Sequence, residues 1–440
     1  MKPRFLILSL ALTAVIVSFL FINPITVQTH PRNFPKSTSY WYTVPAQTKF
    51  TDAQLEFLVA HYDEVMVKGN IDRKAVEKVK SIARRLNKDF VILPYTNAMF
   101  DLAFKPKEES AYAHNSAGRR IKETQYARGW SLMDLSSPAW GEFFVKKSLE
   151  KIDQHGFDGI FVDDMGMASG FSHIKRIDSR PGYATAGGWH AYTDEEWYQA
   201  SYEFLDYVKK RLGEKLVVFN GLYHQAPQYD ITLLEISDGG MREGFILTGR
   251  YDRFFQEAWW KKLLNQVIKD LNKYNKQFVA DCRMQKEGAT IEDRMFCFTS
   301  YLLINKPGHV RYSPPKCPLG VRGAQAIELF KKMIFELIYY PEMDVDIGEP
   351  IEYAGGIEGY YIPEAGLCIR RYSNGLVAVN PSTESRSLSL EQPYFLVIPE
   401  GTGKVKADGT WDGALRYEKV SQAKVPPQTG IILLSNAPRK

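Results

Sequence analysis

The chain has 440 residues, of which 45% are hydrophobic and 24% are charged, so it is long enough for one domain of about 250 residues and a second, smaller one. Its net charge of +5 is small, and Lys and Arg are interspersed with Asp and Glu, which argues against nucleic acid as a partner. The 25 Tyr, 25 Phe and 8 Trp residues suit stacking on sugar rings, although any large domain buries aromatic side chains.

The N-terminal segment predicts export. Lys2 and Arg4 precede an unbroken apolar run over residues 5–22. The run is either a cleaved signal peptide or an uncleaved membrane anchor, and its length together with the lack of an A-x-A site slightly favours the anchor. Residues 23–38 contain Pro, Thr and Asn and are interpreted as a linker. In either case we expect the remainder to be extracellular or at the cell surface.

From residue 39 to residue 343, short apolar strands alternate with amphipathic helices. This alternation is typical of parallel βα units, and eight strands predict an α/β fold, a (β/α)8 TIM barrel. The predicted strands are 40–43, 64–68, 90–96, 159–163, 216–220, 239–244, 278–281 and 309–313. The predicted helices are 72–86, 138–154, 193–212, 257–274, 291–304 and 324–337. Long loops follow the third and fourth strands, on the side where barrels carry active sites.

Helical periodicity disappears over residues 344–440. Short alternating segments punctuated by Gly, Pro and Asn predict a small C-terminal antiparallel β-sandwich domain. The predicted strands are 360–362, 367–372, 376–379, 387–390, 395–397 and 430–434.

The four cysteines do not have metal-site spacing, so neither a metal nor a cofactor is expected from them. Export permits a disulfide, and Cys282 and Cys317 each follow a strand that we expect to be a neighbour of the other in the barrel. A bridge between these two is therefore one possibility. The sequence also lacks a dinucleotide or phosphate-binding glycine motif between a strand and a helix.

The strongest motif is G-F-D-G-I-F-V-D-D at residues 156–164. An apolar strand runs directly into Asp163 and Asp164. Two acids at the end of a buried strand are costly to desolvate, and at the C-terminal face of a barrel such acids indicate a catalytic rather than a structural role. Neighbouring residues on a strand point to opposite sides, so one acid is expected to be catalytic and the other to hold it in place. The structural alternative is that both acids cap the following loop.

A second motif, S-D-G-G-M-R-E-G-F at residues 237–245, ends a short strand with Arg242 and Glu243. Glycosidic cleavage usually needs two carboxyl groups, one protonated and one ionised, and Glu243 would be the acid. Arg242 could hold a carboxylate or a sugar hydroxyl. A surface Arg–Glu turn is the alternative.

Other polar and aromatic residues lie at strand ends or in the long loops. Each could bind a sugar, and each could equally cap a helix or fix a loop. The residues in this group are Tyr95, Asn97, Trp130, Asp134, Trp189, Asn220 and Asp281.

These motifs, W-S-L-M-D, P-A-W, G-F-D-G-I-F-V-D-D, F-N-G and S-D-G-G-M-R-E-G-F, resemble glycoside hydrolases related to the α-galactosidase and α-amylase-like barrels, particularly hypothetical glycosyl hydrolase family fifteen. The resemblance covers most of residues 40–440. It implies that the acid ending the fourth strand, Asp163, is the nucleophile and that the acid after the sixth, Glu243, is the proton donor.

We therefore expect a retaining glycoside hydrolase that acts on an extracellular or envelope polysaccharide, with Asp164 orienting Asp163. The alternative is a non-catalytic carbohydrate-binding protein on a hydrolase scaffold. A metal-dependent deacetylase is disfavoured because the eight His form no pair at metal-ligand spacing near an Asp. Oligomeric state is not indicated by the sequence.

Overall fold

Parallel strands alternate with helices through the first part of the fold. The computed structural model describes residues 37–43, 50–69, 71–124, 129–165, 177–223, 233–248, 253–282, 290–315 and 336–436. The strands of this part are β1 (Thr38–Thr43), β2 (Glu64–Gly69), β3 (Val91–Asn97), β4 (Gly159–Asp163), β5 (Gly182–Thr185), β6 (Gly188–Ala191), β7 (Leu216–Asn220), β8 (Gly239–Glu243), β9 (Gln277–Asp281) and β10 (Val310–Ser313).

Within the described residues, eight of these strands form one parallel sheet in the order β1-β2-β3-β4-β7-β8-β9-β10. β5 and β6 form a separate antiparallel hairpin in the long loop after β4. The eight predicted strands are confirmed, each to within two residues at either end. The α/β class is therefore confirmed.

Helices lie between most of the strands of the sheet. They are α1 (Asp52–His61), α2 (Arg73–Arg85), α3 (Pro138–His155), α4 (Asp194–Leu212), α5 (Glu257–Tyr274) and α6 (Ile291–Ile304). Helix α4 begins with a capping box at residues 193–196, in which Thr193 and Glu196 each bond the other's backbone N–H. Gly156 ends α3 at φ 76°, a conformation that favours glycine.

Two helix predictions need correction. We did not predict α1, which buries only Leu55, Leu58 and Val59 and so gives a weak periodic signal. The predicted helix 324–337 lies almost wholly outside the described residues. Its last residue, Leu337, belongs to a strand, because it pairs with the C-terminal sheet at Val405.

Side chains of one face of the parallel sheet, here called the inner face, meet in a single apolar cluster. Side chains from six strands can converge in this way only if the sheet is strongly curved. A parallel bridge between Ser37 and Tyr312 also links the two edge strands of the sheet. The cluster consists of Met66, Leu93, Tyr95, Phe161, Val218, Met241 and Val279.

After residue 336 the fold becomes antiparallel. Its strands are β11 (Leu337–Ile338), β12 (Tyr361–Ile362), β13 (Leu367–Tyr372), β14 (Gly375–Asn380), β15 (Arg386–Val405), β16 (Trp411–Val425) and β17 (Thr429–Leu434). The antiparallel prediction is confirmed, but β16 was missed, and 387–390 and 395–397 belong to one long strand. Among the described strands all seven join in one hydrogen-bonded sheet, so the two stacked sheets of a sandwich are not seen.

Helix α6 packs on this antiparallel sheet. Arg370 is 1% exposed, and its Nη1 donates to the carbonyls of Leu302 and Leu303 at 2.9 and 3.0 Å, which satisfies carbonyl groups at the helix C-terminus. Gly430 lies against Thr299, where a Cβ atom would come within 2.0 Å of the Thr299 hydroxyl oxygen. Residues Phe34–Lys440 accordingly form one compact unit.

The disulfide differs from the pairing that we considered. Cys282, directly after β9, is bonded to Cys297 of α6, and Cys317 lies outside the described residues. Cys368 is a buried free thiol. The apolar run at residues 5–22 also lies outside the described residues. In the part of the chain that the structure describes, no helix is long and apolar enough to span a bilayer.

Acids at the N-terminal end of the parallel sheet hold neighbouring strands together. Asp63, Asp158 and Asp238 each directly precede a strand, and each accepts a hydrogen bond from a backbone N–H at the start of an adjacent strand, at 2.7–2.9 Å. Each also pairs with a lysine, which is Lys88, Lys80 and Lys209 respectively. These three acids are structural.

Replacing Asp158 tests this structural role. In Asp158→Ala the N–H of Ile92 and the ammonium of Lys80 lose an acceptor, so we expect the free energy of unfolding to fall by about 1–3 kcal/mol. Urea unfolding of the purified protein measures the change. A variant as stable as the wild type would contradict the assignment.

Candidate active site

The alternation of side chains along each strand gathers six polar residues at one end of the inner face. Each lies two positions after a member of the apolar cluster, on the same strand, and therefore points to the same side. They all lie at the C-terminal end of the sheet. The six are Lys68, Tyr95, Asp163, Asn220, Glu243 and Asp281.

Asp163 accepts three hydrogen bonds from the described residues. Its Oδ1 accepts from Asn220 Nδ2 at 2.7 Å and from the backbone N–H of Asp164 at 2.9 Å. Its Oδ2 accepts from the hydroxyl of Tyr95. The side chain is half-buried, so part of its surface remains accessible to solvent.

Asn220 links the two predicted catalytic acids. The same Nδ2 that bonds Asp163 also donates to Glu243 Oε2 at 2.7 Å. Both carboxylate oxygens lie 2.7 Å from one nitrogen, so they are no more than twice that distance, 5.4 Å, apart. The structure thus brings Asp163 and Glu243 together.

Asp164 is held outside the strand. It has φ 63°, a left-handed conformation that is uncommon for residues other than glycine and that concentrates at functional sites. Its Oδ2 accepts from Asn97 Nδ2 at 2.8 Å, while Asn97 Oδ1 accepts from the N–H groups of Met99 and Phe100. Asn97 therefore fixes the turn after Asp163, and both residues belong to the site.

Tyr95 remains a hydrogen-bond donor at high pH. Its pKa is raised well above the usual value because the phenol is buried and because Asp163 and Asp164 lie close by. The ammonium of Lys68 stands 4.0 Å from the centre of the Tyr95 ring. We did not single out Lys68 from the sequence, although its position two residues after Met66 on an inward-facing strand could have identified it.

The side chains of two further candidates at strand ends, Asp281 and Arg242, point to opposite faces of the sheet. Asp281 points to the inner face, pairs in register with Glu243, and accepts from the Ser313 hydroxyl at 2.6 Å. Arg242 lies on the opposite side of β8 and donates to the carbonyl of Tyr223 at 2.9 Å. Arg242 was predicted to bind substrate, and the structure places it away from the acids because it is one position out of phase with them.

The loop candidates lie outside this group of contacts. Asp134 accepts from the N–H and hydroxyl of Ser136 at 3.0 and 2.8 Å, which shapes the turn before α3, and burial raises its pKa. Trp130 packs half-buried against the main core. Trp189 lies half-buried on the β5–β6 hairpin. For none of the three does a described contact reach Asp163 or Glu243.

Among the described residues, no three or more His, Cys, Asp and Glu side chains are grouped as metal ligands would be. The chemistry of this site is that of two close carboxyl groups with amide and phenol donors between them.

The family comparison addresses the same region. The model of Hypothetical glycosyl hydrolase family 15 matches residues 83–376, two thirds of the chain, including both strands that end in Asp163 and Glu243. The chain belongs to this family. As a member of Hypothetical glycosyl hydrolase family 15, it is a glycoside hydrolase, which confirms the predicted enzyme class.

Solved structures give more remote similarities. The glycoside hydrolase domain of PelA from Pseudomonas aeruginosa aligns with 66% of this chain and 98% of its own, at 15% identity and a TM-score of 0.41. The maltogenic α-amylase AmyB from Thermotoga neapolitana aligns with 90% of this chain and 98% of its own, at 12% identity and a TM-score of 0.44. At such values these similarities indicate nothing about the sugar. No match is found among curated proteins.

The role of the Tyr95 hydroxyl can be tested by removing this group. Tyr95→Phe takes one donor from Asp163, and we expect kcat to fall about 10–100-fold, the value of a hydrogen bond to a charged group. Because the pKa of Tyr95 is raised, the phenol stays protonated as pH rises, and its titration should not cause the fall in activity at high pH. We therefore expect this fall, the alkaline limb of the pH–rate profile, to remain in Tyr95→Phe. pH–rate profiles of the two proteins test both points. Loss of the alkaline limb would mean that Tyr95 itself titrates there.

Proposed function

We propose that this glycoside hydrolase cleaves a polysaccharide with retention of configuration, through Asp163 as nucleophile and Glu243 as acid and base. The observation that carries the proposal is the shared donor, Asn220 Nδ2, which limits the distance between an oxygen of Asp163 and an oxygen of Glu243 to 5.4 Å. Retaining enzymes hold their carboxyl groups about 5–5.5 Å apart, whereas inverting enzymes leave about 6.5–9.5 Å for a water molecule.

The chemistry proceeds in two steps. Asp163 attacks the anomeric carbon, the bond to the leaving oxygen breaks, and Glu243 gives that oxygen its proton, which leaves a glycosyl ester on Asp163. In the second step Glu243 takes a proton from water, the water oxygen attacks the same carbon, and Asp163 is released as a carboxylate. Asp164, held by Asn97, orients the strand end that carries Asp163.

Two further proposals concern the fold and the cellular location of the enzyme. We infer that the parallel sheet closes into a (β/α)8 barrel, which the Ser37–Tyr312 bridge and the inner-face cluster support. We also infer that the enzyme is exported and acts on an extracellular or envelope polysaccharide. The basic residues and apolar run at its N-terminus support this location.

Hydrolysis assays test the mechanism. Wild type, Asp163→Asn and Glu243→Gln are assayed on α- and β-linked polysaccharides and aryl glycosides. We expect Asp163→Asn to be inactive and Glu243→Gln to lose about 10²–10⁴-fold in rate. Asp158→Asn is the matched control, because it changes an acid of the same motif at the opposite end of β4 and should keep its activity.

The configuration of the first-formed product decides between the two stereochemical outcomes. Proton NMR that shows an unchanged anomer supports retention, and an inverted anomer would exclude Asp163 as a nucleophile. Activity that survives in both variants would mean that other acids catalyse. A wild type that binds a glycan and cleaves none of the panel would favour the carbohydrate-binding alternative.

Export is tested at the N-terminus of the protein in its native cells. We expect the chain in the membrane fraction, with a mass that includes residues 1–22, because the apolar run nearly spans a bilayer. A shorter chain in the medium would instead identify a cleaved signal peptide. Intact protein in the cytosol would contradict both forms of the proposal.

A further inference from the structure

The amide of Asn220 is shared by both carboxyl groups of the site. We propose that Asn220 is a positioning residue, which assigns Oδ2 of Asp163 as the attacking oxygen and Oε1 of Glu243 as the oxygen that carries the catalytic proton. The inference rests on the proposed roles of Asp163 and Glu243. It departs from our expectation that Asn220 binds a sugar hydroxyl.

The amide N–H donors of Asn220 are both taken up by Asp163 and Glu243. A primary amide nitrogen has two hydrogens, and the two bonds of 2.7 Å to Asp163 and Glu243 use both. The amide oxygen, Oδ1, is buried and has no hydrogen-bond partner among the described residues. The side chain as a whole is 5% exposed, so neither end of the amide is available to a substrate.

The backbone around Asn220 is fixed to the same two strands. β7 lies between β4 and β8 in the sheet. The carbonyl of Asn220 accepts from the N–H of Met165 at 3.0 Å, and the N–H groups of Gly221 and Leu222 donate to the carbonyl of Met241 at 3.2 and 3.1 Å. Asn220 and the two residues that follow it therefore tie the end of β4 to the end of β8 through the backbone, and the Asn220 side chain links the same two strand ends.

The distribution of donors distinguishes the oxygens of each acid. A carboxylate oxygen has about two lone-pair directions. Asp163 Oδ1 uses two, for Asn220 and for the N–H of Asp164, whereas in its contacts with the described residues Oδ2 uses one, for Tyr95, which leaves one direction for attack. Glu243 Oε2 accepts a hydrogen bond from the amide of Asn220, and a proton on Oε2 would face that donor hydrogen. When Glu243 is protonated, the proton is therefore placed on Oε1.

The shared donor also lowers the repulsion between the acids. Two negative charges within 5.4 Å repel each other strongly at a partly buried site, and a hydrogen bond to both offsets this repulsion. Removal of the amide makes negative charge on the pair less favourable, so the pair as a whole should take up protons at higher pH. The other described ionisable groups at this end of the sheet are Lys68, Tyr95, Asp164 and Asp281.

Kinetics of Asn220→Leu and Asn220→Asp separate a positioning role from sugar binding. Leu is similar in size to Asn and has no hydrogen-bond donor, whereas Asp has the same shape as Asn without the N–H donor. If one of the two variants fails to fold, the other still tests the inference. We expect kcat to fall about 10²-fold with KM nearly unchanged, and both limbs of the kcat/KM profile to move up by about one pH unit or more. Asn265→Leu is the control. It makes the same change on α5, at a residue whose amide bonds Glu358 and Ile357 of the C-terminal region, and should keep both limbs near their wild-type positions.

A second measurement does not need turnover. Carboxyl ¹³C titration follows the pair in wild type and variants, with the two resonances assigned from their loss in Asp163→Asn and Glu243→Gln. An upward shift in the Asn220 variants supports the shared amide even if no tested glycoside is cleaved, in which case only the proposed function fails. A raised KM with unshifted limbs and titrations would overturn the inference and return Asn220 to sugar binding.

Discussion

Side chains on a strand alternate between two faces, and in a parallel sheet every strand ends at the same edge. These two constraints decide at which end of the sheet each acid of a strand lies and toward which face it points. Asp158 and Asp163 lie in one nine-residue motif, yet Asp158 pairs with Lys80 at the start of β4 and Asp163 meets Asn220 and Tyr95 at its end. The first stabilises the sheet, and the second belongs to the site, as expected for the two ends of such a fold.

The main electrostatic difficulty of the site is the closeness of its carboxyl groups. Asp163 and Glu243 lie at the ends of strands separated by β7, and the residue that ends β7 supplies a neutral amide to both. A cation would offset the charge more strongly but would also disfavour the protonated form that a general acid needs. A neutral amide also bonds both acids, but it favours their ionised forms less strongly than a cation would.

Rigid surroundings keep these short contacts in place. The inner-face cluster fills the space directly below the polar residues, and close packing there leaves little freedom for the strand ends. The antiparallel sheet contacts α6 through Arg370 and through Gly430, which lies against Thr299. Helix α6 is in turn bonded through Cys297 to Cys282, the residue after Asp281. The C-terminal region thus supports the last strands of the parallel sheet, in addition to covering apolar surface.

The sequence by itself predicted the eight parallel strands of the described sheet, the helices α2–α6, and the positions of Asp163 and Glu243 at strand ends. The apolar run that ends in Asp163 and the glycine-flanked segment that ends in Glu243 are readable without a structure, and so is the fact that Arg242 and Glu243 face opposite ways. The tertiary structure alone decided that Asn220 serves both acids, that Lys68 lies over Tyr95, and that β15 and β16 form one long ribbon. These features depend on which strands become neighbours and how far the sheet curves, and such long-range contacts have no local signature in the chain.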